Sequence, residues 1–323
     1  MEYKNCGHSG LKVSSLCFGT MTFGDGADEA MSGKIYSQCR DKGINFFDVA
    51  NGYANKGGSE LILGKLIKDH REEVIVATKG YFPMTKDING RGASRFHLTK
   101  ALEGSLKRLN TDHVDIYYIH HFDVDTPLEE TISTLNDFVR HGKVLYLGLS
   151  NFAAWQVMKA IAITQQKNFS PITCIQPMYS LLKRQIESEI LPMAQTEGLG
   201  VFSYSPLGGG YLTGKYMDES GVGRFDTNKM YQKRYQNEMH LRTVKSFTDF
   251  AANNGYNPVS LAIAWVASHP GITAPIVGAR NIEQLKPVLE AVDFQMTDEL
   301  RETISEFSLA PALPTDRSEE GMK

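Results

Sequence analysis

The sequence predicts a (β/α)8 barrel, and three observations carry that prediction. Eight short β-branched or aromatic runs alternate with helical patterns from one end of the chain to the other. A length of 323 residues accommodates eight such βα units around one core. The phosphate-binding GxGxxG that would open a doubly wound sheet is missing, since FGTMTFGDG after the first run does not fit it.

The runs read as strands are VSSLCFGT (13–20), INFFDVA (44–50), VIVATKG (74–80), VDIYYIH (114–120), VLYLGLS (144–150), TCIQPMY (173–179), GVFSYSP (200–206) and TAPIVGA (273–279). Between them, SELILGKLIKDH (59–70), TKALEGSLKRL (99–109), LEETISTLNDFVRHG (128–142) and ESEILPMAQTEG (187–198) place apolar residues at spacings of three and four, as amphipathic helices do. A long loop is expected after strand seven, over about 207–238, rich in Gly and carrying Lys215 and Arg224. Loops of that length in a compact domain are usually functional. An extra apolar helix, SLAIAWVASHP (260–270), precedes strand eight and belongs to a C-terminal helical decoration. Residues 1–323 are read as a single barrel domain, with a polar, Pro-containing tail (310–323) expected to be disordered.

Composition narrows the function. A net charge of −3 gives no reason to expect nucleic acid or an anionic membrane as partner. The first residues, MEYKNCGHSG, lack the apolar segment of a secretory signal, and AAWQVMKAIAI, cut by Lys159, is too short to span a bilayer. Cys6, Cys17, Cys39 and Cys174 are scattered, with no CxxC, and read as reduced thiols of a cytoplasmic protein.

In a barrel of this kind the C-terminal ends of the strands share one mouth, where chemistry is done. Reading those ends in order gives Thr20, Asp48, Lys79, His120 (with His121 beside it), Ser150-Asn151, Gln176 and Tyr204-Ser205. Tyr53 follows Asp48 by five positions, past the turn-like Asn51-Gly52. A phenol has a pKa of about 10, and an ammonium beside it lowers that value. Lys79 can supply the ammonium, Asp48 can hold it, and His120 can orient a substrate oxygen. Such a set suits protonation of a carbonyl oxygen as charge develops on it. It contains no nucleophile–base pair, and His120 with Asp48 are too few ligands for a metal site.

An acid without a nucleophile needs a hydride source. LCFGTMTFG (16–24), FDVANGY with GGSELILG (47–64), ATKG (77–80), DIYYIHHFD (115–123), GLSNF (148–152), IQPMYSLL (175–182), YSPLGGGYLTGKY (204–216) and IVGARNIEQL (276–285) together resemble the aldo-keto reductase family, in its order and along essentially the whole chain. The resemblance implies a barrel that uses NADPH, returning NADP+, to reduce aldehydes or ketones. It implies Tyr53 as proton donor, Asp48 and Lys79 as its tuning pair, and His120 as the orienting imidazole. It places Ser150, Asn151 and Gln176 on the nicotinamide carboxamide and Tyr204 on the ring face, with Thr20 and Met21 joining the cofactor set. Ser205, Pro206, Leu207, Gly209, Lys215 and Arg224 are implied along the pyrophosphate, and Gly278, Arg280 and Gln284 at the adenosine end. Arg280 favours NADPH over NADH, because a guanidinium recognises a 2′-phosphate strongly, and a helix starting near Asn281 adds N–H donors for an anion. One departure is Val288, where the family usually has Asn, so that an adenine contact is expected to be missing.

Taken singly, each residue admits an ordinary role. Asp48 could form a turn, Tyr53 pack in a loop, Lys79 be solvated, His120 be a core histidine, Ser150-Asn151 cap the helix near Ala153, and Arg224 be a surface arginine. Their conjunction, one per strand end, favours the site. The alternative function is an accessory or sensing subunit resembling channel β subunits, which in this family keep the barrel and cofactor and carry an extra segment before the first strand. A barrel with unrelated chemistry is the third possibility. A pocket walled by residues near Met21, Phe23, Phe82 and Phe122 suits an aryl or hydrophobic carbonyl, while methylglyoxal, sugars and ketosteroids are equally admitted. Oligomeric state is not legible.

Overall fold

Side-chain alternation along short strands decides what fills this barrel. The computed structural model describes residues 1–217 and 229–315. Eight parallel strands close on themselves in the order β10-β3-β4-β5-β6-β7-β8-β9. They are β3 (Cys17–Gly19), β4 (Phe46–Asp48), β5 (Ile75–Gly80), β6 (Val114–Ile119), β7 (Val144–Ser150), β8 (Ile172–Gln176), β9 (Gly200–Tyr204) and β10 (Ala274–Val277). Seven of the eight expected runs contain one of them whole, and TCIQPMY (173–179) overlaps β8, which begins one residue earlier. Inside, Cys17, Phe46, Ala77, Ile116, Tyr118, Cys174, Phe202, Ala274 and Ile276 form one buried cluster. Phe46 and Phe202 meet edge-on with ring centroids 4.8 Å apart. A second, larger apolar layer lies between the strands and the helices around them. The helix Leu128–Arg140 shows how it is made: Leu128, Ile132, Leu135 and Phe138 are buried, while Glu129 and Glu130 are exposed.

The first expected strand is in fact two. Residues Tyr3–Asn5 (β1) and Lys12–Ser14 (β2) form an antiparallel hairpin, and the chain breaks before β3 because the Ser14 hydroxyl donates to the Leu16 carbonyl at 2.6 Å. The hairpin sits against the N-terminal end of the barrel. Cys6 and Val13 join the inner apolar cluster, and the His8 N–H donates to the Gly198 carbonyl at 2.8 Å. That end is therefore covered by the hairpin, and the polar strand ends lie at the opposite, C-terminal end.

Helix positions follow the periodicity, with boundaries moved by local chemistry. The helix expected from residue 99 starts at Arg95, because Ser94 caps it by accepting from the His97 N–H. The extra apolar helix spans Pro258–Ala267, with Asn257 as cap and Pro at its first position. The stretch expected as one loop after strand seven carries regular structure among its described residues. It contains a 3-10 turn (Gly208–Thr213) and a helix (Lys229–Tyr235). Arg224 lies outside the described residues, as does most of the expected tail. All four cysteines are buried and unpaired. Among the described residues no helix is long and apolar enough to cross a membrane.

Gly148 on β7 is required by a close approach. A Cβ there would lie within the van der Waals envelope of the fully buried Tyr118 ring on β6. Gly148→Ala is expected to destabilise the protein by about 1–3 kcal/mol through overpacking, read as a lower denaturation midpoint. An unchanged midpoint would show that Tyr118 has room to move.

Candidate active site

Register brings the first two groups together. Asp48 pairs with Ala77 across β4 and β5, so Lys79 stands one pleat higher on the same face. The Lys79 ammonium donates to Asp48 Oδ1, to the Val49 carbonyl at 2.9 Å and to the Tyr53 hydroxyl at 3.4 Å. Its three donors are thus all directed at acceptors. The second carboxylate oxygen, Asp48 Oδ2, accepts from Gln176 Nε2 at 2.9 Å. Side-chain exposure is 0% for Lys79 and 3% for Asp48, so the ion pair is shielded from solvent screening.

Tyr53 reaches this pair from a strained turn. Its N–H donates to the Ala50 carbonyl at 3.1 Å. The backbone then passes through the left-handed region at Ala54, Asn55 and Lys56, with φ of 47°, 55° and 67°, before Gly57 at 111°. Non-glycine residues enter that region at a cost of about 1–2 kcal/mol each. The helix expected from residue 59 accordingly runs on from this turn. His120, just past β6, stands edge-on to Tyr53 at 6.1 Å between ring centroids and to Phe82 at 4.7 Å. Its Nδ1 is buried without a partner.

Burial dominates the electrostatics. It pushes the Tyr53 phenol above its ordinary value, against the opposing pull of the Lys79 ammonium. The expected net lowering is therefore reversed, because desolvation of a phenolate outweighs one neighbouring cation. Burial also opposes the charge on Lys79, but Asp48 and then Tyr53 more than offset it and raise the ammonium above its usual range. His120 is held well below its usual value by burial, then by Lys79 and His121, and so is neutral near pH 7.

The implied cofactor residues gather at the same mouth, with several of their polar atoms already engaged. Ser150 Oγ donates to the Gln176 carbonyl at 2.9 Å. Asn151 Nδ2 donates to the His120 carbonyl at 2.9 Å and to Ser150 Oγ at 3.1 Å, while its Oδ1 accepts from the Tyr204 hydroxyl at 2.7 Å. Gln176 has Nε2 committed to Asp48, which leaves its oxygen for a ligand. Thr20 is fully buried; its hydroxyl meets Ser59 Oγ at 2.9 Å and the Asp48 carbonyl at 3.2 Å, so it braces strand ends. Met21 stands on the rim, 36% exposed.

After β9, Ser205 takes a left-handed φ of 60° ahead of Pro206 and Leu207. Gly208, Gly209 and Gly210 follow at 57°, 70° and 94°, a turn that side chains would strain. Lys215 is exposed and extends past Gly210, where its Nζ would lie 3.6 Å from an added Cβ. At the end of β10, Gly278 is exposed. The Arg280 stem runs beside Gly26, and its N–H donates to Gln284 Oε1 at 3.1 Å. Asn281 caps the helix Ile282–Glu290. Val288 is 1% exposed on that helix's buried face, which makes it a core position in this chain.

Phe23 is no pocket wall: it is fully buried, 5.8 Å from the Phe18 ring. The aromatic rim is instead Phe82, Phe122 and Trp155, the last 60% exposed and 5.9 Å from Phe122. Asn51, read from the sequence only as half of a turn, is fully buried with neither side-chain polar atom bonded.

Two outcomes follow from these environments. Lys79→Met leaves the Asp48 carboxylate buried and unpaired, and is expected to cost about 3–5 kcal/mol of stability. Adding Asp48→Asn should recover most of that loss in chemical denaturation; if it does not, the pair is not the source. The second outcome concerns His120, which stays neutral in the folded chain while the unfolded chain takes up protons below about pH 6.5. Stability should therefore fall as pH drops through that window, by up to about 1.4 kcal/mol per pH unit from this group. Thermal melts of His120→Asn should show a shallower acid dependence than those of the parent chain.

The comparisons with known proteins agree with this geometry. The model of the aldo/keto reductase family matches residues 15–308. An uncharacterized oxidoreductase, YrpG, of Bacillus subtilis (strain 168) is 40% identical over 321 residues, covering 96% of this chain and 97% of its own. A probable voltage-gated potassium channel subunit beta of Oryza sativa subsp. japonica is 38% identical, covering 91% and 92%. An L-glyceraldehyde 3-phosphate reductase of Escherichia coli (strain K12) is 32% identical, covering 91% and 88%. A closed parallel barrel, polar residues converging on one mouth and a family match over nearly the whole length lead to one conclusion: the chain belongs to the aldo/keto reductase family, and is an oxidoreductase of that family's NAD(P)H-dependent kind.

Proposed function

We propose that the chain reduces aldehydes or ketones to alcohols with NADPH, and that Tyr53 gives the proton. The observation that carries this reading is Lys79, whose buried ammonium is bonded to Asp48 and to the Tyr53 hydroxyl at once. When bound, the dinucleotide supplies a hydride to the carbonyl carbon. Tyr53 transfers its proton to the carbonyl oxygen, and the Lys79 ammonium steadies the phenolate that remains until solvent reprotonates it. Asp48 keeps that ammonium charged and in place. Neutral His120 orients the carbonyl oxygen beside Tyr53. Run backwards, the same groups accept a proton from an alcohol.

The residues present fit a dinucleotide. The left-handed turn Gly208–Gly210 offers backbone that a Cβ would obstruct, and Tyr231 packs so closely on it that a Cβ on Gly209 would come within 2.6 Å. Lys215 beside that turn can meet phosphate charge. Arg280 with the capped start of the Ile282–Glu290 helix is a suitable place for a 2′-phosphate. Ser150, Asn151, Gln176 and Tyr204 would hold the nicotinamide end. Four unpaired buried thiols suit the cytoplasm.

A second reading, a cofactor-binding accessory or sensor subunit, is favoured by the rice relative named as a channel subunit. The chain spans 92% of that relative, so an added N-terminal segment does not separate the two readings. Turnover does. Titration by fluorescence should show NADPH binding well ahead of NADH. With 4-nitrobenzaldehyde, Tyr53→Phe should lower kcat by about 10²–10⁴ while NADPH binding survives. Cofactor binding without turnover of any carbonyl by the parent chain would favour the sensor.

A further inference from the structure

We propose that Asn51 and Tyr117 share one buried water on the outer face of β5, and that through it Asn51 positions the turn that carries Tyr53. This rests on the reductase reading above, and adds a solvent site and a positioning residue to it.

Register places the two side chains together. Phe46, Phe47 and Asp48 pair with Ile75, Val76 and Ala77. The ladder runs on past β4, because the Val49 N–H donates to the Ala77 carbonyl at 2.8 Å and the Asn51 N–H to the Lys79 carbonyl at 3.3 Å. Asn51 therefore stands opposite Gly80. Phe46 belongs to the inner apolar cluster, whereas Phe47 and Val49 belong to the layer between strands and helices. Alternation turns Asn51 outward with Phe47 and Val49, and Gly80 faces the same way. The Tyr117 hydroxyl lies over Gly80: a Cβ there would overlap that oxygen and stand 3.4 Å from Ala101 Cβ. Neighbouring strands are about 4.8 Å apart, so this hydroxyl is about one strand spacing from the Asn51 Cβ. The amide does not bond it directly, and a single water spans such a separation.

Both groups are short of partners. Asn51 and Tyr117 are each 0% exposed. Among the described residues neither polar atom of the Asn51 amide, nor the Tyr117 hydroxyl, has a hydrogen-bond partner. Burial, then Glu60, pushes the Tyr117 phenol up, so it stays a neutral O–H able to donate. The Glu60 carboxylate is itself taken: Oε1 accepts from the Thr78 hydroxyl at 2.6 Å and Oε2 from Arg108 Nε at 2.7 Å. Buried polar groups left over by the protein are met by internal water, which makes about three hydrogen bonds. An amide and a phenol are both uncharged, so they suit water and not an ion.

The place of this water gives it a role. Asn51 makes the last ladder bond of β4 before the chain turns, and the Tyr53 N–H then donates back to the Ala50 carbonyl at 3.1 Å. An anchor on the Asn51 side chain fixes where the turn leaves the sheet. It thereby fixes the angle at which the Tyr53 hydroxyl meets Lys79 and a carbonyl oxygen.

A crystal structure of the parent chain should show one ordered water within about 3 Å of both the Asn51 amide and the Tyr117 hydroxyl. A direct Asn51–Tyr117 hydrogen bond, or a water touching only one of them, overturns the proposal. With 4-nitrobenzaldehyde, Asn51→Leu should lower kcat by about fivefold while KM and NADPH affinity hold, and Tyr117→Phe should lower it less. The double variant should be no slower than Asn51→Leu alone, since both changes remove the same bridge. Effects that multiply in the double variant overturn the shared site, and an unchanged kcat in Asn51→Leu overturns the positioning role. Tyr117→Phe keeps the ring and its edge contact with Phe138, so it tests the hydroxyl without emptying the core. Should the parent chain reduce no carbonyl, the reductase reading fails by itself and the positioning role falls with it. The water is then decided by the crystal structure and by denaturation midpoints. A double variant no less stable than Asn51→Leu supports the shared site, and an additive loss rejects it.

Discussion

The buried contact between Asp48 and Lys79 is the constraint on which the mouth of this barrel depends. Removing two charges from water costs several kcal/mol, and a pair of this kind seldom improves the stability of a fold. Its presence at the centre of the strand ends therefore speaks for chemistry. Its cost is contained because the atoms around it are directed at it: Val49 offers a carbonyl, Gln176 an amide, and Tyr53 a phenol. Each of those groups is thereby fixed in position. Gln176 presents its oxygen because its nitrogen is held, and Tyr53 faces the opening because the ammonium lies behind it. One electrostatic contact thus orients residues from β4, β5 and β8.

Around this centre the chain accepts local strain. Three successive non-glycine residues in left-handed conformation bring Tyr53 to Lys79, and a left-handed Ser205 starts the Gly208–Gly210 turn. Strain of this kind persists only where the surroundings over-determine it. Here Thr20, Ser59 and the β4 end lock the turn from below through shared hydroxyl bonds. The stiff floor and the Tyr-rich wall differ in character: hydroxyl bonds hold the floor, and the stacked Tyr231 and Tyr235 rings packed over Gly208 and Gly209 make the wall.

Much of this was legible in the sequence because barrel strands alternate. A lone Asp, Lys or Gln on an otherwise apolar inner face can only end near the mouth, and Asp48, Lys79 and Gln176 do. What was not legible depends on three-dimensional burial. VSSLCFGT reads as one β-leaning run, and the Ser14–Leu16 bond at the break that divides hairpin from barrel is a side-chain contact that spacing does not show. The sign of the Tyr53 shift turns on desolvation, which spacing does not encode. Phe23 and Phe82 are both aromatic residues close to strand ends, yet one is core and the other rim. Asn151 and Tyr204 bond each other, and no linear distance of fifty residues announces that.

The hairpin that seals the N-terminal end has a temporal consequence. It covers the N-terminal ends of the strands, so the polar strand ends face the opposite end of the barrel. There Gln176 and Ser150 are buried while Met21 and Phe82 are exposed at the rim. A ligand lodged over the rim residues would lengthen the stay of one seated at Gln176, whose dwell time would then depend on its neighbour as well as on its own contacts.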